Sequence, residues 1–362
     1  MTDSTPAPGD GSRPFAELAG EDGLQPDPES WLPPPQAPPY RLRGRYFLAS
    51  VLLLLTFVST TTLGAIVYLT TRTDETTTLM PLLSARSLRA VWSDPSLLAT
   101  GLSFALPLLF ILLCHELGHY LACRYYRIPA TLPYFLPSPF FIGTFGAFIK
   151  IRGRIPGRRE LFDVGIAGPF AGFAALIPFL VLGMLWSAPA AITPAAALQP
   201  AAGLYVPGAS LAFAGLSWLF YGPLPPDTVL NLHPFALAAW IGLLATSLNL
   251  IPLGQLDGGH VLYALIGNRQ RRLMWPLWLG LLALGVMVWR GWLIWCVLLL
   301  VMGLSHPPVS QEQVPLDRRR RRLSVLAFVL FLVSFTPRPL DLLLIVNEAP
   351  PPTVLASTGW VP

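Results

Sequence analysis

Charged side chains are scarce in this chain. Asp, Glu, Lys and Arg make up 12% of its 362 residues, while 53% are hydrophobic. A soluble domain carries about a quarter of its residues charged, so an ordinary water-soluble globule is excluded. Lysine is nearly missing: Lys150 is the only one. The formal net charge of +5 does not point to nucleic acid, because the basic residues stand in short clusters between apolar runs. That is the positive-inside pattern of a membrane protein. Cysteine is also rare. Cys114, Cys123 and Cys296 form no CxxC pair. Cys114 and Cys123 fall on opposite faces of one expected helix, which argues against a disulfide framework. Residues 1–40 are poor in aliphatics, acidic and rich in Pro, with Pro33-Pro34-Pro35 and Pro38-Pro39. Such a stretch cannot bury a core and is expected to be a disordered cytoplasmic tail. It lacks the basic start and apolar run of a signal peptide, and the Arg-rich, acid-poor character of a transit peptide.

What is present is a set of apolar runs near or above the ~20 residues that cross a bilayer. The fold class expected is an all-α polytopic membrane protein with about six to seven transmembrane helices. Its parts are a three-helix catalytic core and a re-entrant or strand-like element. Arg41, Arg43 and Arg45 precede the first run, 46–70, which puts the N-terminus in the cytoplasm. With its outer loop this part covers 41–96. A second run, 97–121, returns inward and is followed by Arg124 and Arg127. Residues 129–149 carry Pro129, Pro133, Pro137, Pro139, Gly143 and Gly146 among aromatics. Proline at that density opposes a regular helix, and non-helical backbone at membrane depth must be buried in protein or line a wet cavity. This is the element expected beside the active site.

Lys150, Arg152, Arg154, Arg158 and Arg159 form an inner basic cluster before a third run, 161–187. There Gly168 and Gly172, at four-residue spacing, permit close helix approach. Residues 188–232 hold no basic residue, as expected outside, and 209–221 is short enough to be interfacial or re-entrant. A fourth run, 233–253, leads into Asp257-Gly258-Gly259-His260, with Arg269, Arg271 and Arg272 after it. Runs at 274–289 and 293–306 make a hairpin, Arg318 to Arg322 mark the inner side again, and 323–346 ends the chain's apolar part. Seven crossings satisfy every basic cluster with one orientation. The domains expected are a catalytic core over 97–265, C-terminal helices over 266–346 and a tail over 347–362.

Inside the second run stands His115-Glu116-Leu117-Gly118-His119. Spacing by four puts both histidines on one helix face, with Glu116 in the same arc. Two neutral nitrogen donors and a nearby carboxylate base are what a catalytic zinc requires. Zinc held by two His needs a third protein ligand. An acid inside the membrane is costly and is by default a functional candidate. Asp257 arrives at the same depth from the fourth run. By itself an aspartate before Gly-Gly reads as a turn residue; with the paired histidines at matching depth the ligand reading prevails. His260 follows the turn, and no spacing rule favours it over Asp257. His233 and His306, each before a proline, read as interfacial. Glu160 and Asp163 suit a helix start, Glu312 and Asp317 read as solvated loop charges, and Asp341 pairs with Arg338 at (i, i+3).

These motifs resemble the site-2 protease family of intramembrane zinc metalloproteases (M50). The residues that carry the resemblance are His115-Glu116-Leu117-Gly118-His119, Asn249-Leu-Ile-Pro252 and Leu256-Asp257-Gly258, over about 97–316. Gly165-Ile-Ala-Gly168-Pro169, His233-Pro234 and His306-Pro307-Pro308 look most like the EGY-like subgroup of chloroplasts and cyanobacteria. The resemblance implies one zinc ion on His115, His119 and Asp257, Glu116 as general base, and Asn249 holding the substrate backbone or the oxyanion. It implies a zinc metalloendopeptidase that cuts transmembrane protein substrates within the lipid bilayer, with an upstream site-1-type protease or adaptor as a further partner. No PDZ-like insertion is visible, since 188–232 is short and rich in Ala and Pro. The rival function is a transporter or metal permease using the same His and Asp. It predicts polar residues through the other runs and internal repeats, and neither is evident. The membrane expected is a bacterial plasma membrane, with the N-terminus and the active site on its cytoplasmic side.

Overall fold

In the computed structural model, the residues described are 43–70, 85–140, 142–191, 204–225, 228–307, 309 and 314–343. The expected tails over 1–40 and 347–362, most of the first outer loop, Glu312 and the side chain of Asp341 lie outside them.

Among the described residues three helices are long and apolar enough to cross a membrane. α1 (Arg43–Thr70) is the first. A short amphipathic helix, α2 (Ala85–Ser93), precedes α3 (Pro95–Tyr125). The start of α3 is encoded locally. Asp94 accepts hydrogen bonds from the backbone N–H groups of Ser96 at 2.8 Å and Leu97 at 3.4 Å, and Pro95 brings a preset φ to the first helical position. Its 31 residues span about 46 Å at 1.5 Å per residue, longer than the expected 97–121 run. Past its C-terminal end Arg127 adopts φ +56°, the left-handed conformation that stops a helix. α4 (Arg158–Trp186) is the third long helix.

Between α3 and α4 the proline-rich stretch folds as a hairpin. β1 (Tyr134–Pro137) pairs antiparallel with β2 (Thr144–Phe148), in the register Tyr134 with Phe148 and Phe135 with Ala147. Gly143 turns it at φ +83°, and the Ser59 hydroxyl of α1 donates to the Gly143 carbonyl at 2.6 Å. The strand-like element expected here is therefore a β-hairpin anchored on the first long helix.

After α4 come β3 (Ala188–Ala191), β4 (Leu204–Pro207), α5 (Leu211–Tyr221) and β5 (Thr228–Asn231). β3 pairs antiparallel with β5. α6 (Pro234–Asn249) then packs against both α3 and α4. Phe104, Leu108 and Ile111 of α3, Leu176 and Met184 of α4, and Trp240 and Leu243 of α6 form one buried cluster. This is the three-helix core.

The fourth run does not continue as one helix to Asp257. α6 stops at Asn249, the chain turns through 250–256, and Asp257 opens a new helix, α7 (Asp257–Ile266). Pro252 and the left-handed Gly254, at φ +59°, account for the break. α8 (Gln270–Met287) and α9 (Gly291–Met302) form the expected hairpin. α10 (Arg318–Ser334) starts earlier and ends earlier than the 323–346 run. Beyond Pro337 and Pro339 the chain is extended, and β6 (Leu340–Leu343) pairs antiparallel with β4. The Gly208 N–H donates to the Pro339 carbonyl at 3.0 Å and the Trp292 indole to the Pro337 carbonyl at 2.8 Å.

Candidate metal centre

α3 supplies His115, Glu116 and His119, all buried. α7 supplies Asp257 in its first turn, with 14% of its side chain exposed. His115 Nε2 lies 3.2 Å from His119 Nε2, and each Nε2 lies 3.2 Å from Asp257 Oδ2. The three donors form an equilateral triangle. Tetrahedral bonds of about 2.0–2.1 Å set donors about 3.3–3.4 Å apart, so the triangle has the size that zinc requires.

The hydrogen bonds around the triangle bear on the same point. His119 Nδ1 is 2.7 Å from the Val164 carbonyl oxygen on α4. A carbonyl only accepts, so Nδ1 carries the proton and the Nε2 lone pair faces Asp257. At His115, Asn249 Nδ2 approaches Nε2 at 3.1 Å from the end of α6, so this Nε2 is an acceptor as well. Two buried imidazole nitrogens and a half-buried carboxylate oxygen thus converge on one point, where a cation would be held by all three. These residues therefore fit a metal ion. Among the described residues no second group of three such donors comes together.

Glycines on α4 make the room. A Cβ on Gly168 would fall within the His119 imidazole, and one on Gly172 would lie 3.1 Å from His115 Cβ and Nδ1. Their spacing is legible as a close-approach signal, but what approaches is the pair of imidazoles. The Val164 carbonyl leaves no signature in the sequence, since any residue type offers one.

Glu116 lies beside the triangle. The backbone N–H of Ile149, just past β2, lies near its carboxylate, which brings the hairpin to the candidate base. Asn249 lies at the donors through its contact with His115. His260 is half-buried next to Asp257 but outside the triangle. Its ring meets His306 edge-on at 4.9 Å, and its Cβ backs onto Gly165. His233 caps α6 by accepting from the Phe235 N–H at 3.2 Å and takes no part in the centre.

Two acids have partners the spacing did not suggest. Asp163, one turn into α4, binds Arg320 of α10 and accepts from the Tyr126 hydroxyl. Asp317 is the N-cap of α10, accepting from the Arg320 N–H at 2.8 Å and pairing with the Arg320 guanidinium. The Arg320 backbone N–H first, and then the guanidinium, hold the Asp317 carboxyl below its usual range. For Tyr126, partial burial and the Asp163 carboxylate push the phenol up to about 12.

The description "Peptidase family M50" matches residues 103–276, a segment that contains His115, Glu116, His119, Asn249 and Asp257. The chain is 30% identical over 254 residues to a protein of Arabidopsis thaliana named probable zinc metalloprotease EGY1, chloroplastic; the match covers 67% of this chain and 45% of that one. It is 33% identical over 225 residues to probable zinc metalloprotease EGY2, chloroplastic, of Oryza sativa subsp. indica, covering 62% and 40%. The chain thus spans less than half the length of these relatives.

Proposed function

Because the chain belongs to peptidase family M50, in its EGY-like subgroup, we propose that it is an intramembrane zinc metalloprotease. The single observation that carries this reading is the 3.2 Å triangle of His115, His119 and Asp257 with Glu116 beside it. One zinc per chain would be held by those three side chains. When bound, zinc supplies a Lewis acid that polarises the scissile carbonyl and acidifies water.

The chain's own groups do the rest. Glu116 accepts the proton of the attacking water and returns it to the leaving amine. The Val164 carbonyl holds the His119 imidazole with Nε2 towards the reacting atoms, and the Asn249 amide caps His115 Nε2 until that nitrogen is engaged. Once Nε2 of His115 is engaged, the Asn249 amide is free to hold the substrate backbone or the oxyanion. A transmembrane helix hides its carbonyls in its own hydrogen bonds, so the substrate must unwind locally. The hairpin next to Glu116 offers an edge on which such an extended segment adds as a strand.

Seven crossings follow if α6, α8, α9 and α10 span together with the three long helices, and six if one of the short ones does not. Arg124, Arg127, Lys150, Arg152, Arg158 and Arg318 to Arg322 then share one side with the N-terminus, the cytoplasmic side of a bacterial plasma membrane by the positive-inside rule. The substrates are transmembrane proteins, delivered after a first cut by another protease or by an adaptor.

The test is Glu116→Gln in the full chain, co-expressed with candidate membrane substrates. Zinc content should stay at the wild-type level while cleavage falls by about 10²–10⁴-fold, the usual contribution of a general base. Equal cleavage by the variant overturns the reading.

A further inference from the structure

His119 of α3 and Tyr126, the residue that caps its C-terminus, lie about two turns apart and reach adjacent residues of α4. His119 Nδ1 binds the Val164 carbonyl at 2.7 Å, and the Tyr126 hydroxyl donates to Asp163 Oδ2. Asp163 is gripped in turn from α10. Arg320 Nε donates to Oδ1 at 2.9 Å and Nη2 to Oδ2 at 2.5 Å, with Nη2 also 3.2 Å from the Tyr126 oxygen. The guanidinium is held from behind by Asp317, the cap of its own helix.

We infer that Arg320 and Asp163 are positioning residues for the metal centre. Their two-armed pair sets the height and rotation of the first turns of α4 against α3. The residue after Asp163 is Val164, whose carbonyl selects the His119 tautomer. A shift of α4 by a fraction of its 1.5 Å rise would carry that carbonyl out of hydrogen-bonding range. Nε2 of His119 would then no longer be reserved for a metal. Lysine cannot replace the fork, because only a planar guanidinium meets both carboxylate oxygens together. α10 lies outside the segment 103–276 that matches the family, so this support comes from the C-terminal part of the chain. The inference rests on the proposed metal reading.

The experiment uses the full chain in detergent micelles, loaded with zinc or cobalt. Three quantities are read: zinc release to a chromophoric chelator, the cobalt d–d absorption spectrum, and thermal unfolding of the metal-free protein. Arg320→Gln and Asp163→Asn should each speed zinc release about tenfold and shift the cobalt bands, the lower end of what losing an outer partner of a metal-ligating histidine costs. Arg320→Lys should fall between wild type and Arg320→Gln, and it keeps the test open if Arg320→Gln does not fold. Wild-type zinc release with unshifted cobalt bands in both Arg320 variants, whatever happens to the melting temperature, makes the pair merely structural and overturns the inference. A wild-type chain that retains neither metal overturns the metal reading as well, so the two failures are distinct.

Discussion

Asp257 Oδ2 stands 3.2 Å from His115 Nε2, across the contact between α7 and α3. It is equally far from His119 Nε2, so a single carboxylate oxygen closes the triangle. Asp257→Asn keeps the size of the side chain and removes the negative charge. Zinc affinity should fall by more than about 100-fold, beyond the 10–100-fold typical of losing an outer partner. Competition with a chelator of known affinity measures this, and an unchanged affinity would remove Asp257 from the donor set.

Gly168 and Gly172 should differ in what alanine does. At Gly168 the added methyl falls within the His119 ring; at Gly172 it is 3.1 Å from His115. Overpacking of this kind costs roughly 1–3 kcal/mol, and at Gly168 the imidazole must also leave the triangle. Gly168→Ala should lose zinc and melt lower, while Gly172→Ala should keep zinc with a smaller shift. Metal analysis and thermal melts in the same detergent check the order.

Proline in the hairpin separates substrate docking from metal binding. Ala147 pairs with Phe135 in β2, and Ile149 just beyond faces Glu116. Phe145→Pro and Ala147→Pro should abolish cleavage of a co-expressed membrane substrate and leave zinc content unchanged. Unaffected cleavage would sink the idea that an extended substrate docks on this edge.

Tyr126 gives an alkaline marker for the contact of α3 with α4. Its phenol is pushed up to about 12 by partial burial first and then by Asp163, with Arg320 acting the other way. A raised folded-state value means that the fold favours the protonated phenol. The contribution to stability is full below the ordinary tyrosine value of about 10 and disappears as the pH rises through about 12. The difference between wild type and Tyr126→Phe in thermal stability should therefore shrink at high pH. A difference that grows above pH 10 would contradict the assigned contact.

Much of the fold is legible in the sequence, for a local reason. Apolar runs report span positions, and Asp94-Pro95 marks the start of α3. The crowding of proline and glycine over 129–149 rules out helix there, and the structure turns that exclusion into a hairpin. Where runs mislead, a long-range partner or a local turn is responsible. Leu340–Leu343 is apolar enough to prolong a helix, yet it pairs with Leu204–Pro207. The run ending at 253 is cut at Asn249 because Gly254 and Pro252 take the chain into a turn. Asp163 and Asp317 look like helix-start and loop acids until Arg320 arrives.

By itself the sequence determines that two imidazoles and a carboxylate share one face of a membrane-length helix, because a four-residue spacing on an α-helix allows nothing else. It also determines that the chain is too poor in charge to live in water. Tertiary structure alone decides that Asp257 Oδ2 meets both Nε2 atoms, that the Val164 carbonyl selects the His119 tautomer, and that Arg320 holds the neighbouring Asp163. Periodicity describes interactions within a few residues, whereas these contacts join α3 to α4, α7 and α10. They depend on how closely the helices approach, which the glycines of α4 permit and only the packed bundle sets.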